Sequence, residues 1–203
     1  MKIEFTGSGG SGKTTTAMAV AEALGLELLP SVARDVYEKR GIIEKDRPGL
    51  SQTDAHELQM EIFQTHLDQL ENFKHHSYVA DRSLVCRLAY SLLNDTLIES
   101  PDLLFLCEAT KHAAMRVDLL VYFPTPHWEV KADNFRLNSL RETVALDALT
   151  LGFLQSAQIP AMTAFKGTVE DRTLQITSVA RLTMAGKRKK PLVEVVRNPM
   201  KLG

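Results

Sequence analysis

Residues 7–14, Gly7-Ser8-Gly9-Gly10-Ser11-Gly12-Lys13-Thr14, fit G-x-x-x-x-G-K-[ST] at every fixed position. No other run constrains the fold as tightly, because the pattern works only between a strand and a helix. Its glycines let the backbone curl until successive N–H groups point inward at a phosphate. A helix opening at Lys13 adds the positive end of its dipole. The flanks meet both demands. Lys2-Ile3-Glu4-Phe5-Thr6 alternates like a short strand, and residues 14–24 (TTTAMAVAEAL) are rich in helix formers, with Gly25 as C-cap. A Gly/Ser linker has no use for Lys-Thr-Thr running into an apolar helix. Gly7, Ser8, Gly9, Gly10, Ser11, Gly12, Lys13, Thr14 and Thr15 are therefore the expected phosphate cradle. Lys13 is expected to reach the outer phosphates and the Thr14 hydroxyl to ligate Mg²⁺.

The remaining sequence fits one α/β domain. Short apolar strand candidates at 3–6, 26–30, 78–81, 119–123 and 161–165 alternate with helical patterns at 13–24, 32–40, 53–74, 84–93, 103–116, 138–156 and 169–185. Leu84, Val85, Leu88, Ala89, Leu92 and Leu93 make one apolar helix face. Ser51 and Thr168, each three residues before an aspartate, are expected to cap helices. Residues 41–50 and 124–135 read as loops, the second holding two prolines and the only tryptophan, Trp128. Hydrophobic residues make up 44% of the chain, enough for a sizeable core. No run approaches the length of a membrane span, and no signal region precedes the first strand. Cys86 and Cys107 lack metal spacing and are expected as reduced core thiols in a cytoplasmic protein. His75-His76 reads as a loop, not a metal site.

The net charge of −1 is uneven: residues 186–203 carry about +5, leaving about −6 elsewhere. The expected organisation is a domain over 1–186 followed by a basic tail over 187–203. Within the tail, Leu192–Val196, bracketed by Pro191 and Pro199, is an edge-strand candidate. Lys187–Lys190 offers contacts to nucleic-acid phosphates, with a solvated arm as the plainer alternative.

In a parallel sheet, ligands gather at the carboxyl ends of strands. The run Tyr78-Val79-Ala80 ends in Asp81, Arg82 and Ser83. There Asp81 is expected to hold Mg²⁺ and Arg82 to neutralise phosphate charge; the competing role for Asp81 is a helix cap. The second strand leads into Ser31, Arg34 and Asp35, placed to meet a phosphate acceptor. The proline-rich loop delivers Asp133-Asn134-Phe135-Arg136 and, five residues later, Arg141, arginines placed to close over transferring phosphates. On an ideal helix Arg136 and Arg141 stand about 140° apart, so sharing a face requires Arg136 to sit in the loop.

Taken together, GSGGSGKT, PSVARD, VADRS, DNFRLNSLR and TVEDR resemble the P-loop kinases of small molecules. The resemblance is to the NadR-like group of nucleoside and nucleotide kinases, which has phage-encoded members, and it covers roughly residues 1–180. It implies the P-loop kinase fold: a five-stranded parallel core sheet flanked by helices, with a lid near 124–141. It implies ATP and Mg²⁺ as cofactors and a nucleoside or nucleotide acceptor. It implies that Asp81-Arg82-Ser83 is the acid–arginine element, that Asp133 and Arg136 belong to the lid, and that Thr168–Arg172 passes near the adenine. Such kinases usually carry a glutamate after the second strand, acting on the acceptor hydroxyl; this chain has Ser31. Asp35 or Asp81 then serves as base, or none is needed, since transfer through a loose transition state depends mainly on position and charge. The expected catalytic set is Lys13, Asp35, Asp81, Arg82, Arg136 and Arg141, with Ser31, Arg34 and Arg82 at the acceptor. Two alternatives remain: a kinase of a modified nucleoside within DNA, which the basic tail would suit, and a P-loop ATPase or switch. The sequence leaves the oligomeric state open, a dimer included.

Overall fold

The structure, a computed structural model, describes residues 1–42, 49–94, 100–125, 140–164 and 166–186. Five strands, β1 (Lys2–Gly7), β2 (Glu27–Leu29), β3 (Tyr78–Ala80), β4 (Leu119–Phe123) and β5 (Met162–Thr163), form one sheet in the order β2-β3-β1-β4-β5. Every pairing is parallel. The helices are α1 (Lys13–Leu24), α2 (Ala33–Lys39), α3 (Gln52–Asn72), α4 (Leu84–Asn94), α5 (Ser100–Met115), α6 (Leu140–Ser156) and α7 (Val169–Met184). Each strand and helix expected within residues 1–186 is present, with ends displaced by a few residues. The largest shift is at α5, which starts three residues early. Pro101 sits in its first turn, where a missing N–H costs nothing. The 187–203 tail, its edge-strand candidate and most of the expected lid lie outside the described residues.

Period-two alternation sends β1 side chains to opposite faces. Ile3 and Phe5 pack with Val79, Leu119, Val121 and Phe123 beneath Ala17 and Val20 of α1 and Ile176 and Ala180 of α7. On the other face, Tyr78 and Ala80 pack with Phe63, Leu84, Leu88 and Leu106 from α3, α4 and α5. With helices on both faces, the polar positions Glu4 and Thr6 are buried too, although their alternation in sequence has the look of a solvent-facing side. Gly25 ends α1 in the left-handed conformation, and its N–H donates to helix carbonyls. Ser51 Oγ accepts from the Asp54 N–H, while Thr168 and Asp171 complete a reciprocal capping box. Among the described residues no helix is long and apolar enough to cross a membrane.

This topology fixes where the site lies. β1 neighbours both β3 and β4, so the sheet's connections diverge on either side of β1, and a crevice opens at its carboxyl end. The segment following β1 meets the segment following β3.

Glu4 provides a test of the buried sheet. Burial pushes its carboxyl up to about 7, against the opposing influence of the Tyr78 hydroxyl, which donates to Oε1 at 2.9 Å, and of Lys2 and Arg116. A carboxyl with a raised folded-state value stabilises the fold below its unfolded value, and that contribution is lost as pH rises through the folded value. Glu4→Gln should therefore gain stability relative to wild type between pH 5 and 8, by up to about 3 kcal/mol. Denaturant melts across that range check this; parallel pH profiles for the two proteins would contradict it.

Candidate active site

The phosphate loop begins where β1 can turn only through glycine. Gly7 has φ +126°, and a Cβ there would lie 2.1 Å from the Phe123 carbonyl oxygen of β4. Gly12, at φ +83°, forms the N-cap of α1. The ammonium of Lys13 is buried, donating to the Ser8 carbonyl and, at 2.9 Å, to Ser11 Oγ. Arg172 reaches over from α7: its Nη1 donates to the Ser11 carbonyl at 3.1 Å, and its guanidinium lies 5.8 Å from the Phe123 ring centroid. A Cβ on Gly12 would come within 2.9 Å of Arg172 Nη2, so the second fixed glycine of the motif also makes room for this arginine.

Asp81 follows β3 directly, and its N–H donates to the Leu29 carbonyl of β2. Thr14 Oγ1 donates to Asp81 Oδ2 at 3.0 Å, while the buried Oδ1 has no partner. Thr14 therefore engages the carboxylate, rather than the first turn of α4 as the capping alternative required. A hydroxyl and a half-satisfied carboxylate are hard oxygen donors, a set that fits Mg²⁺ completed by phosphate and water. No group of three or more potential metal-binding side chains occurs among the described residues.

Cys86, on α4, sits against the root of the loop. Its Sγ accepts from the Gly7 N–H and donates to the Gly7 carbonyl, both at 3.3 Å, and lies 3.5 Å from Thr6 Oγ1. Burial raises the thiol's pKa, but Arg82 and Lys13 outweigh burial and hold it below its ordinary value. Burial likewise opposes the charge on Arg82; Cys86, Tyr90 and Asp81 around it win, and its pKa is raised. Arg82 lies 5.9 Å from the Tyr90 ring centroid.

A cavity of about 340 Å³ opens beside the loop. Gly9, Thr14, Asp81 and Arg82 line one part; Pro30, Ser31, Arg34, Asp35 and Tyr37 line another; Gln59 and Ile62 come from α3, and Glu142, Thr143 and Leu146 from α6. Ser31, Arg34 and Asp35 are thus brought to the same cavity as Thr14 and Asp81. Arg141 is exposed at the start of α6 and does not line the cavity. Arg136 and Asp133 lie outside the described residues. Sequence reasoning passed over Arg87 and Gln59 and read Cys86 only as a core thiol. Arg87 had a readable signal, being the only charged residue in α4 (LVCRLAYSLLN). Gln59 and Cys86 had none.

A family model for an AAA domain matches residues 2–172. The chain belongs to that AAA domain family. No curated protein matches the sequence. Among solved structures, deoxyadenosine kinase from M. mycoides with bound dATP aligns with TM-score 0.63 and 15% identity over 89% of this chain and 99% of that one. NadR in complex with NAD and AMP-PNP aligns with TM-score 0.63 and 14% identity over 90% of this chain, which spans about half (49%) of NadR. Shikimate kinase from Acinetobacter baumannii with shikimate gives TM-score 0.55 and 16% identity over 93% and 95% of the two chains. The AAA domain therefore has the P-loop kinase fold expected from its sequence.

Arg172→Met removes the one charged donor that ties α7 to the Ser11 carbonyl. It should weaken ATP binding about 10-fold, as expected for loss of a charge-assisted hydrogen bond. Titration calorimetry measures this; unchanged ATP affinity in a folded variant would show that the loop holds its shape without Arg172.

Proposed function

We propose that this protein is a phosphotransferase that moves the γ-phosphoryl group of ATP, with Mg²⁺, to a nucleoside or nucleotide. The observation that carries the reading is the single cavity joining the phosphate loop to the β2–α2 segment. One end offers Thr14, Asp81 and loop amides to a donor. The other offers Ser31, Arg34, Asp35 and Tyr37 to an acceptor. A hydrolase needs only the first half. The fold relatives that are kinases point the same way, and one of them being a deoxyadenosine kinase that binds dATP favours a nucleoside-type acceptor over an unrelated one.

In this reading the loop amides and Lys13 bind the β- and γ-phosphates, and Thr14 and Asp81 hold Mg²⁺. When bound there, the ion would supply charge that neutralises the phosphates. Arg82 faces the transferring group and offsets charge spread over its equatorial oxygens. An acceptor oxygen attacks the γ-phosphorus, the bond to the β–γ bridging oxygen breaks, and ADP leaves. A hydroxyl acceptor loses its proton to a carboxylate, and Asp35 is the candidate because it lines the acceptor part. Ser31 cannot take that proton, and the loose transition state tolerates a weak base. Arg82 follows Asp81 where an ATPase would present a glutamate to orient water, which favours transfer over hydrolysis.

Incubating the protein with Mg-ATP and a panel of nucleosides and nucleotides tests the reading. ADP should form in step with phosphorylated acceptor. Lys13→Ala and Asp81→Asn should each lower turnover by about 100-fold or more, with melting temperatures close to wild type. Near-normal, Mg²⁺-dependent turnover in Asp81→Asn would remove the carboxylate from the mechanism. A large stability loss with normal turnover would assign it a purely structural role.

A further inference from the structure

Arg87 is a buried cation that forms no direct ion pair among the described residues. It lies in the first turn of α4 with 6% of its surface exposed, and it lines the acceptor cavity. Its Nη2 donates to Ser31 Oγ at 2.7 Å and its Nε makes a longer bond, 3.4 Å, to His66 Nδ1. Both partners are neutral. Burial pushes the His66 imidazole well below its usual pKa, and Arg87 and Arg82 push it further, so this ring adds no countercharge. Burial also pushes Arg87 down, to about 10, with Arg82 adding to the effect, and it stays cationic at neutral pH.

Among the described residues no carboxylate pairs with Arg87. Asp81 favours the Arg87 charge through space, but the hydrogen bond it makes is with Thr14. Asp35 is exposed, and Glu142 is half-buried on α6. Leaving a buried charge unpaired costs several kcal/mol, and proteins avoid it unless a ligand provides the partner. The residue that Arg87 touches is the one where a glutamate was expected. A glutamate at 31 would close an ion pair with Arg87 and cancel its charge; a serine orients the guanidinium and leaves the charge uncancelled. The remaining N–H groups of a planar fork suit a phosphate bidentately. The donor's phosphates are served separately, by Lys13 and the loop beside Thr14, whereas Arg87 is bound to the β2–α2 segment and α3 on the acceptor side.

We propose that Arg87 receives an anionic group carried by the acceptor, and that the acceptor is a nucleoside monophosphate rather than a neutral nucleoside. This rests on reading the cavity as the acceptor site of a phosphotransferase. Ser31 is then a positioning residue that aims Arg87, in place of a base acting on a sugar hydroxyl.

Binding decides it independently of turnover. The four deoxynucleoside 5′-monophosphates and their four nucleosides are titrated into the full chain, into Arg87→Met and into Ser31→Glu, with ATP titrated as a control. At least one monophosphate should bind wild type about 10-fold or more tighter than its nucleoside. Arg87→Met should lose that preference and keep ATP affinity. Ser31→Glu, which adds the missing carboxylate without removing the arginine, should lose it too, so the conclusion does not hang on one buried substitution. Equal binding of nucleosides and monophosphates, a preference that survives in Arg87→Met, or binding of none of the eight compounds would overturn the proposal. ADP formation with neutral nucleosides alone would sink it while leaving the phosphotransferase reading intact. Arg87-dependent monophosphate binding without any acceptor-dependent ADP would overturn the phosphotransferase reading, and the acceptor assignment with it, leaving Arg87 as an anion site alone.

Discussion

The site is organised around buried positive charge. Lys13, Arg87 and Arg172 are each less than a tenth exposed and gather at the carboxyl edge of the sheet, where Asp81 is the one comparably buried acid among the described residues. Such an arrangement is unfavourable unless dipoles, hydrogen bonds and ligands offset it. The fold supplies the first two. Lys13 is received by Ser8 and Ser11, Arg172 by the Ser11 carbonyl and the Phe123 ring, and Arg87 by Ser31 and His66. The third must be anionic, and a triphosphate beside a phosphorylated acceptor meets that demand at both ends of one cavity.

The parallel sheet makes the arrangement possible. Because β1 lies between β3 and β4, the loop after β1 and the acid after β3 converge without a long excursion of either chain segment. The close packing of Gly7 against the Phe123 carbonyl sets the height at which the loop leaves the sheet. Cys86 braces the same point by exchanging hydrogen bonds with both backbone groups of Gly7. α4 therefore serves two functions: its apolar face fills the core, and its first turn carries the side chains that face the loop and the cavity.

Most of this was legible in the sequence, for identifiable reasons. The loop pattern carries its own geometry, and strands buried on both faces are short apolar runs. Acids and arginines immediately after such runs fall at the ligand edge, which brought out Asp81, Arg82, Arg34 and Asp35. Periodicity hid Arg87, because α4 reads as an apolar helix and a single charge within it looks like an interruption. Arg172 was visible only as part of TVEDR, by resemblance: its contact with Ser11 spans 161 residues, and no local pattern reports a pairing at that separation. Gln59's place at the cavity and Cys86's contact with the loop were invisible, because a glutamine or a thiol within a helix has no such signature until the neighbouring element is placed. Arg141 is the converse case. Its charge near a helix start drew notice, yet it is α6's Glu142 and Thr143 that face the cavity.

The central claim is that this edge of the sheet passes a phosphoryl group to an acceptor rather than to water. Following the label from γ-labelled ATP through one turnover, with Mg²⁺ and a mixture of nucleoside monophosphates and nucleosides present, tests it most directly. The account predicts that the label appears in a phosphorylated acceptor, with little released as inorganic phosphate. Label recovered wholly as inorganic phosphate, at a rate indifferent to every acceptor, would contradict it and identify the protein as an ATPase.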